Sequence, residues 1–446
     1  MSIEEKYKEL TLGSRTLYGH AKHLFPGGIC HNIRAFHPHP VFPRHSEGPR
    51  FTDVDGRDII DLWMGHYSLI FGHAFGAVKR AVNNVLDSGW HWGMPHELEL
   101  RLADEIMLAA PVIKKLRFCC TGTEATMYAV RLARAFTGKG WVLKVAGGWH
   151  GASTDLSFAV RPPYEEPEGP GLLEPDMQGV AHLTFNNIGE SKRVINLHQD
   201  HIAAIIVEPM LGSGGFIPAT KEYLEFLRKA CDDIGAVLIF DEIITGFRFR
   251  YGILADEYEV SPDLVTLGKI VGGGFPIGVY GGREDIMELA NPFQPESPGR
   301  PVLVGGGTFS ANPATMAAGL ATMDSLRKQQ SSLYNLLATR GDAMRKGIEE
   351  RFKAIGLPAA CTGMGSLFMT HILKGDDDLI TSPGDIAEKT HSRVADRELK
   401  ISLLNHGVYT MHGGGAISAT HGEKEVSTML DAYEAAAQDL KNELQI

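Results

Sequence analysis

The chain has little of what defines several protein classes. Its 446 residues include only five cysteines, Cys30, Cys119, Cys120, Cys231 and Cys361, and this odd number with an adjacent pair does not suit a disulfide framework. The first ten residues are polar, and no later apolar run is long enough to cross a bilayer. Lys and Arg number 43 against 54 Asp and Glu, which disfavours a nucleic-acid surface. We therefore expect a cytoplasmic protein that binds neither nucleic acid nor membrane.

The sequence motifs of several catalytic classes are also missing. The chain has no HExxH and no CxxC, and the histidines of its Pro-rich segment, His31, His37, His39 and His45, have no acid placed to complete a metal site. It has no GxSxG, no GxxxxGK[ST] and no GxGxxG that opens a helix after a strand. We therefore expect no metal, and the patterns disfavour a serine hydrolase or a nucleotide-binding protein.

The length and the order of the elements predict an α/β fold. Apolar strands alternate with amphipathic helices from about Phe71 to Ala321, which is typical of a mostly parallel sheet wrapped by helices. A chain of 446 residues suits one large domain with a smaller one. We predict a large domain over 71–325 and a smaller domain formed by 1–70 and 326–446. Helices are predicted over 3–25, 313–352 and 423–444, and a hairpin turn at Asp55 and Gly56.

Two short runs in the large domain carry most of the chemistry. LIFDEIITGFR (residues 238–248) is an apolar strand that ends in Asp241, so this carboxylate is expected at the carboxyl edge of the sheet, where α/β folds bind ligands. LGKIVGGGFP (residues 267–276) places Lys269 among apolar residues and glycines, where a lysine acts as a nucleophile or base. An N-cap aspartate and a snorkelling lysine are the structural alternatives. A carboxylate and an amine at nearby strand ends suit a cofactor with a basic ring nitrogen and an aldehyde, which is pyridoxal phosphate.

Three further segments could complete such a site. TGTEA (residues 121–125) opens a helix after a strand, so the amides of Gly122 and Thr123 could bind a phosphate, although an ordinary capped helix is the alternative. GGWHG (residues 147–151) could stack Trp149 on a planar ring, unless this tryptophan belongs to the core. GTFSANP (residues 307–313) offers the hydroxyl of Thr308 before a helix that begins with proline.

Taken in order, these motifs resemble a known family over nearly the whole chain. With IVEPM (residues 206–210), they resemble the class III (subgroup II) pyridoxal phosphate aminotransferases. FPGGICHNIRAF (residues 25–36) is similar to the glutamate-1-semialdehyde 2,1-aminomutase branch, which also holds D-phenylglycine and β-phenylalanine aminotransferases. The resemblance implies the fold type I of pyridoxal phosphate-dependent transferases, with a mostly parallel seven-stranded sheet in the large domain and a smaller α+β domain built from both chain ends.

The resemblance also implies roles for individual residues. Lys269 would form the Schiff base with pyridoxal 5'-phosphate and shuttle the proton, while Asp241 would partner the pyridine nitrogen. The other implied cofactor contacts are Gly122 and Thr123 at the phosphate, Trp149 and Ile243 on the two ring faces, Glu208 of the IVEPM run, and Thr308 from the neighbouring subunit. Arg34 would pair with the substrate carboxylate, a task that suits a guanidinium group. A homodimer with shared active sites follows from the role of Thr308.

The substrate side departs from the aminomutase pattern. His66 replaces a tryptophan, Ser213 replaces an asparagine, and the segment 409–418, which contains His412, has no acid where the pattern has a glutamate. We therefore take His66 and His412 as substrate-binding candidates beside Arg34. We expect an aminotransferase that moves an amino group between a carboxylate-bearing α- or β-amino acid and a keto acceptor. The alternatives are the aminomutase, which transfers the amine within one molecule, and a non-catalytic protein that binds the cofactor.

The acidic, Pro-rich stretch 161–171 interrupts the alternation of strands and helices. Its composition predicts a surface loop. Whether this loop gates the site is left open by the sequence.

Overall fold

A computed structural model describes residues 1–293, 301–375 and 379–444. The chain divides into two compact units. The terminal unit comprises Met1–Phe75, Asn335–Ile380 and Asp385–Ile446. The central unit comprises Gly76–Tyr334 and Thr381–Gly384.

The strands and helices are numbered in chain order. The strands are β1 (Pro43–Glu47), β2 (Arg50–Asp53), β3 (Asp58–Asp61), β4 (Lys115–Cys119), β5 (Trp141–Val145), β6 (Val180–Leu183), β7 (Ile202–Val207), β8 (Met210–Leu211), β9 (Ile217–Pro218), β10 (Val237–Asp241), β11 (Leu264–Gly268), β12 (Gly278–Gly282), β13 (Ala359–Thr362), β14 (Leu367–Ile372), β15 (Val408–Tyr409) and β16 (Gly414–Ala416). The helices are α1 (Ile3–Leu10), α2 (Leu12–Leu24), α3 (Met64–Tyr67), α4 (Gly76–Leu86), α5 (Glu97–Ala109), α6 (Gly122–Thr137), α7 (Pro175–Gln178), α8 (Ile188–His198), α9 (Lys221–Ile234), α10 (Ala255–Tyr258), α11 (Glu284–Met287), α12 (Pro313–Ile355), α13 (Pro383–Lys389), α14 (Ser392–Val394), α15 (Lys400–Asn405) and α16 (Glu423–Leu444).

The central unit is built on a seven-stranded sheet in the order β4-β12-β11-β10-β7-β5-β6. The neighbours from β11 to β6 run parallel, and β12 runs antiparallel to both of its neighbours. Every residue of β7 and β10 is buried, because both faces of such a sheet are covered and its central strands are therefore apolar throughout. The predicted mostly parallel, seven-stranded sheet is confirmed.

Helix α6 begins directly after β4, and its start is fixed by local sequence. The Thr121 hydroxyl accepts the N–H of Glu124, and the Glu124 carboxylate accepts the N–H of Thr121 in return, which forms a capping box. The helix ends at Gly138, whose φ of 68° is the left-handed conformation that suits glycine at a helix end. The cap therefore holds the TGTEA segment at the end of a sheet strand.

The terminal unit contains two small sheets, β1-β2-β3-β15 and β13-β14-β16. The predicted hairpin turn lies between β2 and β3, where Gly56 has a φ of 83°. The single helix predicted over 3–25 is wrong in one respect, because the chain breaks at Thr11 into α1 and α2. The Asp55 carboxylate accepts the N–H groups of Gly13 and Ser14 and so supplies a cap for α2 from the distant hairpin.

The other predicted helices agree with the structure. The long helix predicted from 313 is α12, and the closing helix predicted from 423 is α16. Within the described residues, no helix is both long and apolar enough to cross a membrane.

Candidate active site

Four neighbouring strands of the central sheet each end at a polar group of interest. The GGWHG turn follows β5, Glu208 follows β7, Asp241 closes β10, and Lys269 follows β11. Because these strands run parallel, their carboxyl ends meet at one edge of the sheet. The sequence predicts that Asp241 and Lys269 lie at nearby strand ends, and in the structure β10 and β11 are adjacent strands. Asp241 of β10 pairs in register with Thr266 of β11.

Lys269 has an unusual backbone and a perturbed amine. Its φ is +49°, a left-handed value that is uncommon outside glycine and costs about 1 kcal/mol or more. Burial lowers the pKa of Lys269, an effect that Asp241 and Glu208 oppose and that Arg248 reinforces. A lowered pKa increases the neutral amine fraction, which a nucleophile or base requires.

Asp241 is held by donors on both carboxylate oxygens. The ring nitrogen Nδ1 of His150 lies 2.8 Å from Oδ2. The Ile243 N–H and the Thr266 hydroxyl each donate to Oδ1 at 3.1 Å. Asp241 is only 3% exposed, so these bonds fix the direction in which a buried carboxylate faces.

His150 is a site residue that the sequence analysis missed. Its side chain is buried, and burial lowers its pKa while the hydrogen bond to Asp241 opposes that shift. Its Nε2 has no hydrogen-bond partner among the described residues, and its backbone carbonyl accepts the Thr126 hydroxyl at 2.6 Å. The available signal was its position beside Trp149 after β5, at the same sheet edge as Asp241.

Glu208 connects the GGWHG turn to the next strand. Its carboxylate accepts the N–H of Trp149 and the N–H of Gly212, each at 2.9 Å. Burial, with a contribution from the nearby Asp241 charge, raises the pKa of Glu208 to about 8. The structure therefore places Glu208 against the backbone of the turn that carries Trp149.

The start of α6 leaves two amide groups available. The N–H groups of Cys120 and Thr121 are taken by the Glu124 carboxylate. Within the described ranges, no hydrogen bond takes up the N–H groups of Gly122 and Thr123. Two free amides at the positive end of a helix dipole are able to bind an anion, so we refer to the start of α6 as the candidate anion site.

Ile243 lies between this helix start and Lys269. A Cβ atom placed on Gly122 would lie 2.6 Å from Ile243 Cδ1, and one on Gly268 would lie 3.2 Å from Ile243 Cγ2. Glycine is therefore needed at 122 so that the Ile243 side chain can pack over the helix start. This packing brings the two segments predicted to contact the cofactor into direct contact.

Trp149 and Thr123 lie on segments that touch. The Thr123 hydroxyl accepts the N–H of Ala152 at 3.2 Å, and a Cβ on Gly151 would lie 2.7 Å from Thr123 Cα. Trp149 is 43% exposed, so the alternative of a buried core tryptophan is wrong. The indole is available for stacking while its backbone is held against the helix start.

These features fit pyridoxal phosphate group by group. The two amides at the start of α6 suit its phosphate, and the oriented Asp241 carboxylate suits a protonated ring nitrogen. The indole of Trp149 and the side chain of Ile243 suit a flat ring. Lys269, with its lowered pKa, suits an aldehyde. Within the described part of the chain, no three His, Cys, Asp or Glu side chains form a group that could hold a metal ion.

Thr308 is exposed on the loop before α12. The preceding residues pack against the start of α6, where Cys120 Sγ lies 3.3 Å from the Gly306 carbonyl oxygen. A Cβ on Gly307 would lie 3.0 Å from a Glu124 carboxylate oxygen. The hydroxyl of Thr308 is therefore carried by a segment anchored beside the candidate anion site.

The terminal unit holds the three substrate-side candidates. Arg34 is exposed, and its charge acts to lower the pKa of Tyr409, although burial raises that pKa overall. The ring of His66 lies 4.4 Å from that of Trp63 and 5.8 Å from that of His31.

His412 has an acidic partner that lies outside its own segment. The segment 409–418 contains no acid, but Asp396 lies 2.6 Å from His412 Nδ1. A carboxylate is therefore present beside His412 although the local sequence lacks one. Ser213, the third departure from the aminomutase pattern, is exposed in the central unit.

Comparison with known proteins identifies the family. Residues 33–418 match the model of the family described as Aminotransferase class-III. The chain is 36% identical over 436 residues to the glutamate-1-semialdehyde 2,1-aminomutase of Methanosarcina acetivorans, covering 95% of this chain and 98% of that protein. It matches the structure of an omega-transaminase from Sphaerobacter thermophilus with a TM-score of 0.88 and 33% identity, over 96% of this chain and 98% of that one. A transaminase with PLP bound matches with a TM-score of 0.87 and 29% identity, over 98% and 99% of the two chains.

These matches confirm the expected family, the fold type I architecture and the cofactor. They cover nearly the whole chain, in agreement with the extent of the sequence resemblance. The chain therefore belongs to the class III aminotransferases, and its cofactor is pyridoxal 5'-phosphate.

Proposed function

We propose that this enzyme moves an amino group to or from a carboxylate-bearing amino compound, with Lys269 as its catalytic base and point of covalent attachment. The observation that carries the proposal is the arrangement of His150, Asp241 and Lys269 at the carboxyl ends of β5, β10 and β11 of one sheet. When bound, pyridoxal phosphate supplies an aldehyde that condenses with amines and a ring that withdraws electrons.

The residues of the central unit divide the binding task. The amides of Gly122 and Thr123 hold the phosphate, and Trp149 and Ile243 flank the ring. Asp241 keeps a proton on the ring nitrogen. This role is supported by the donors that fix its oxygens, since a correctly directed carboxylate stabilises a cation better than a mobile one.

Lys269 moves the proton that the reaction requires. In its neutral form, Nζ would take the proton from the substrate carbon that bears the amine and deliver it to the aldehyde carbon of the cofactor, on the other side of the amine nitrogen. Its lowered pKa supports this role, because a general base works best with a pKa near the working pH. Arg34 supplies a guanidinium group for the substrate carboxylate, and His66 and His412 are the other residues of the terminal unit that shape the choice of substrate.

The amino acceptor divides the proposal into two candidates. An external keto acid would make the enzyme an intermolecular aminotransferase, which the residues at His66, Ser213 and 409–418 favour and the likeness to an omega-transaminase supports. An acceptor within the same substrate would make it an aminomutase. The comparisons favour this second candidate more strongly, since the Methanosarcina relative with 36% identity bears that name.

A donor screen with the holoenzyme separates the candidates. Glutamate 1-semialdehyde, diaminovalerate, and α- and β-aromatic amino acids are each added without acceptor, and the cofactor absorbance is followed. An aminotransferase converts one equivalent of donor per site and then stops until a keto acid is added. An aminomutase converts the whole pool of glutamate 1-semialdehyde without acceptor.

Two further outcomes of the screen would contradict the proposal. Absorbance that no donor changes would support a protein that only binds the cofactor. Turnover that survives in the Lys269→Ala variant would exclude Lys269 as the base.

We further propose that two copies of the chain share their active sites. The exposed side chain of Phe309 directly follows Thr308, and the exposed Trp90 lies nearby, since the Asn312 side chain donates to the Trp90 carbonyl at 2.7 Å. The His91 and Phe309 rings lie 5.1 Å apart, so the two segments form one exposed apolar surface. Such a surface is typical of a protein interface.

Complementation tests the sharing directly. Thr308→Asp, which repels phosphate, and Lys269→Ala are each expected to be nearly inactive. If Thr308 serves the partner's site, mixed dimers recover about a quarter of the wild-type activity, since half of the dimers are mixed and each has one intact site. If Thr308 serves its own chain, mixing recovers no activity. A monomeric protein would contradict the proposal outright.

A further inference from the structure

A second lysine of the central unit is buried without a role in the proposed reaction. Lys144 lies on β5, in the sequence WVLKV, and its side chain is 0% exposed. Its ammonium donates to three backbone carbonyl oxygens, of Gly148 at 2.7 Å, of Leu156 at 3.2 Å and of Phe158 at 2.7 Å. An ammonium has three N–H groups, so this set uses all of them.

The three carbonyl groups belong to one segment, 148–158, which leaves the end of β5 and then comes back to the Lys144 side chain. Gly148 precedes Trp149 in the GGWHG turn, and Phe158 forms an isolated bridge with Pro167 at the base of the acidic loop. Lys144 therefore ties both ends of 148–158 to the strand that precedes them. Its Nζ also lies 5.5 Å from the centre of the Phe158 ring, a cation–π contact that adds to this hold.

The same turn carries two residues proposed to contact the cofactor or its partner. The Trp149 N–H bonds Glu208, and the His150 ring bonds Asp241. Gly148 directly precedes these residues. The direction of its carbonyl therefore fixes the orientation of the backbone from which the side chains of Trp149 and His150 project. Burial lowers the pKa of Lys144 to about 7, while the charge of Glu208 chiefly opposes this loss of the ammonium form. The amine of Lys144 is thus held by the turn that carries Trp149 and His150, near the Glu208 carboxylate that bonds the same turn.

We propose that Lys144 is a positioning residue for the cofactor, which fixes the GGWHG backbone so that Trp149 and His150 face the bound ring. This inference rests on the proposed cofactor contacts of the central unit. Lys144 acts through its neighbours and touches no reacting atom, so it sets cofactor affinity and orientation and leaves the proton transfer to Lys269.

Lys144→Met tests the proposal, because methionine keeps most of the apolar volume and removes the three donors. Lys139→Met is the matched control, since Lys139 lies two residues before β5 and also donates to a carbonyl, that of Ile234 at 2.6 Å, but makes no bond to the turn. Each apoprotein is titrated with pyridoxal phosphate for its Kd, and the visible circular dichroism of the bound cofactor is recorded. The melting temperature of each apoprotein is measured in parallel.

We expect Lys144→Met to bind the cofactor at least about tenfold more weakly, with an altered circular dichroism band, because it loses hydrogen bonds from a charged group. Lys139→Met should match the wild type in both readouts. A lowered apoprotein melting temperature with the cofactor Kd and dichroism unchanged would show a purely structural role and overturn the inference. Lys144→Gln, which keeps two N–H donors, should fall between the wild type and Lys144→Met, and it carries the test if the methionine variant does not fold.

A failure of the Lys144 proposal can be distinguished from a failure of the proposed function. A wild-type protein that never binds pyridoxal phosphate would contradict the proposed function itself. A wild-type protein that binds it with the same affinity as Lys144→Gln and Lys144→Met would contradict only the role of Lys144.

Discussion

Replacing His150 by phenylalanine removes one donor from Asp241 and leaves the rest of the site in place. The His150 Nδ1 to Asp241 Oδ2 contact of 2.8 Å is the only one described for Oδ2, whereas Oδ1 keeps Ile243 and Thr266. A hydrogen bond to a charged group contributes about 1.5–3 kcal/mol. Because Asp241 retains two of its three donors, we expect the lower end, which corresponds to roughly tenfold weaker cofactor binding. Phenylalanine keeps the ring volume, but the variant leaves Oδ2 of a buried carboxylate without its donor, so the melting temperature of the apoprotein should fall as well.

The assay is a titration of the apoprotein with pyridoxal phosphate, followed by its visible absorbance. A double-mutant cycle with Asp241→Asn isolates the pair. If His150 acts through Asp241, the double variant should bind no more weakly than Asp241→Asn alone. Affinity of His150→Phe within twofold of the wild type, or fully additive losses in the cycle, would refute the reasoning.

Three other predictions concern the pH dependence of stability and the start of helix α6. His421 accepts the Ser418 N–H at Nδ1, and burial lowers its pKa to about 4, so the unfolded state takes up a proton first as the pH falls. The contribution of His421 to the free energy of unfolding should be fully present above about pH 6.5, and about 3 kcal/mol of it should be lost as the pH falls to 4. In urea unfolding, His421→Asn should show a weaker dependence of this free energy on pH. Gly122→Val should clash with Ile243, cost about 1–3 kcal/mol and weaken cofactor binding; unchanged cofactor affinity would argue against the candidate anion site. Thr121→Ala should lower the free energy of unfolding by about 1 kcal/mol by removing the cap of α6, and no loss in thermal unfolding would mean that the cap is redundant.

The sequence predicted the central sheet and the edge at which its polar groups meet. Apolar strands such as β10 end abruptly in a charged residue, and parallel strands bring such ends together, so Asp241 and Lys269 could be predicted before their geometry was known. Trp149 and the α6 start were predictable for a similar reason, since glycine-rich turns and capping residues have local signatures.

The parts that were missed depend on contacts between distant residues. His150 and Asp241 are 91 positions apart, and a single histidine in a glycine turn has no periodic signal. The break at Thr11 depends on Asp55, which caps α2 from a hairpin about 40 residues away in the chain. Asp396 likewise supplies the acid that the segment around His412 lacks, from 16 residues upstream. Lys144 had the same signal as Lys269, a lysine among apolar residues, but two of its three acceptors, the carbonyls of Leu156 and Phe158, become neighbours only when the chain returns after the turn.

The most direct test of the account is the residue to which the cofactor is attached. The holoenzyme is reduced with sodium borohydride, digested, and its peptides are mapped by mass spectrometry for the pyridoxyl group. We predict one modified residue, Lys269, with Lys144 unmodified, and no modification in Lys269→Ala. Attachment at Lys144, or a wild-type holoenzyme whose peptides carry no pyridoxyl group after reduction, would contradict it.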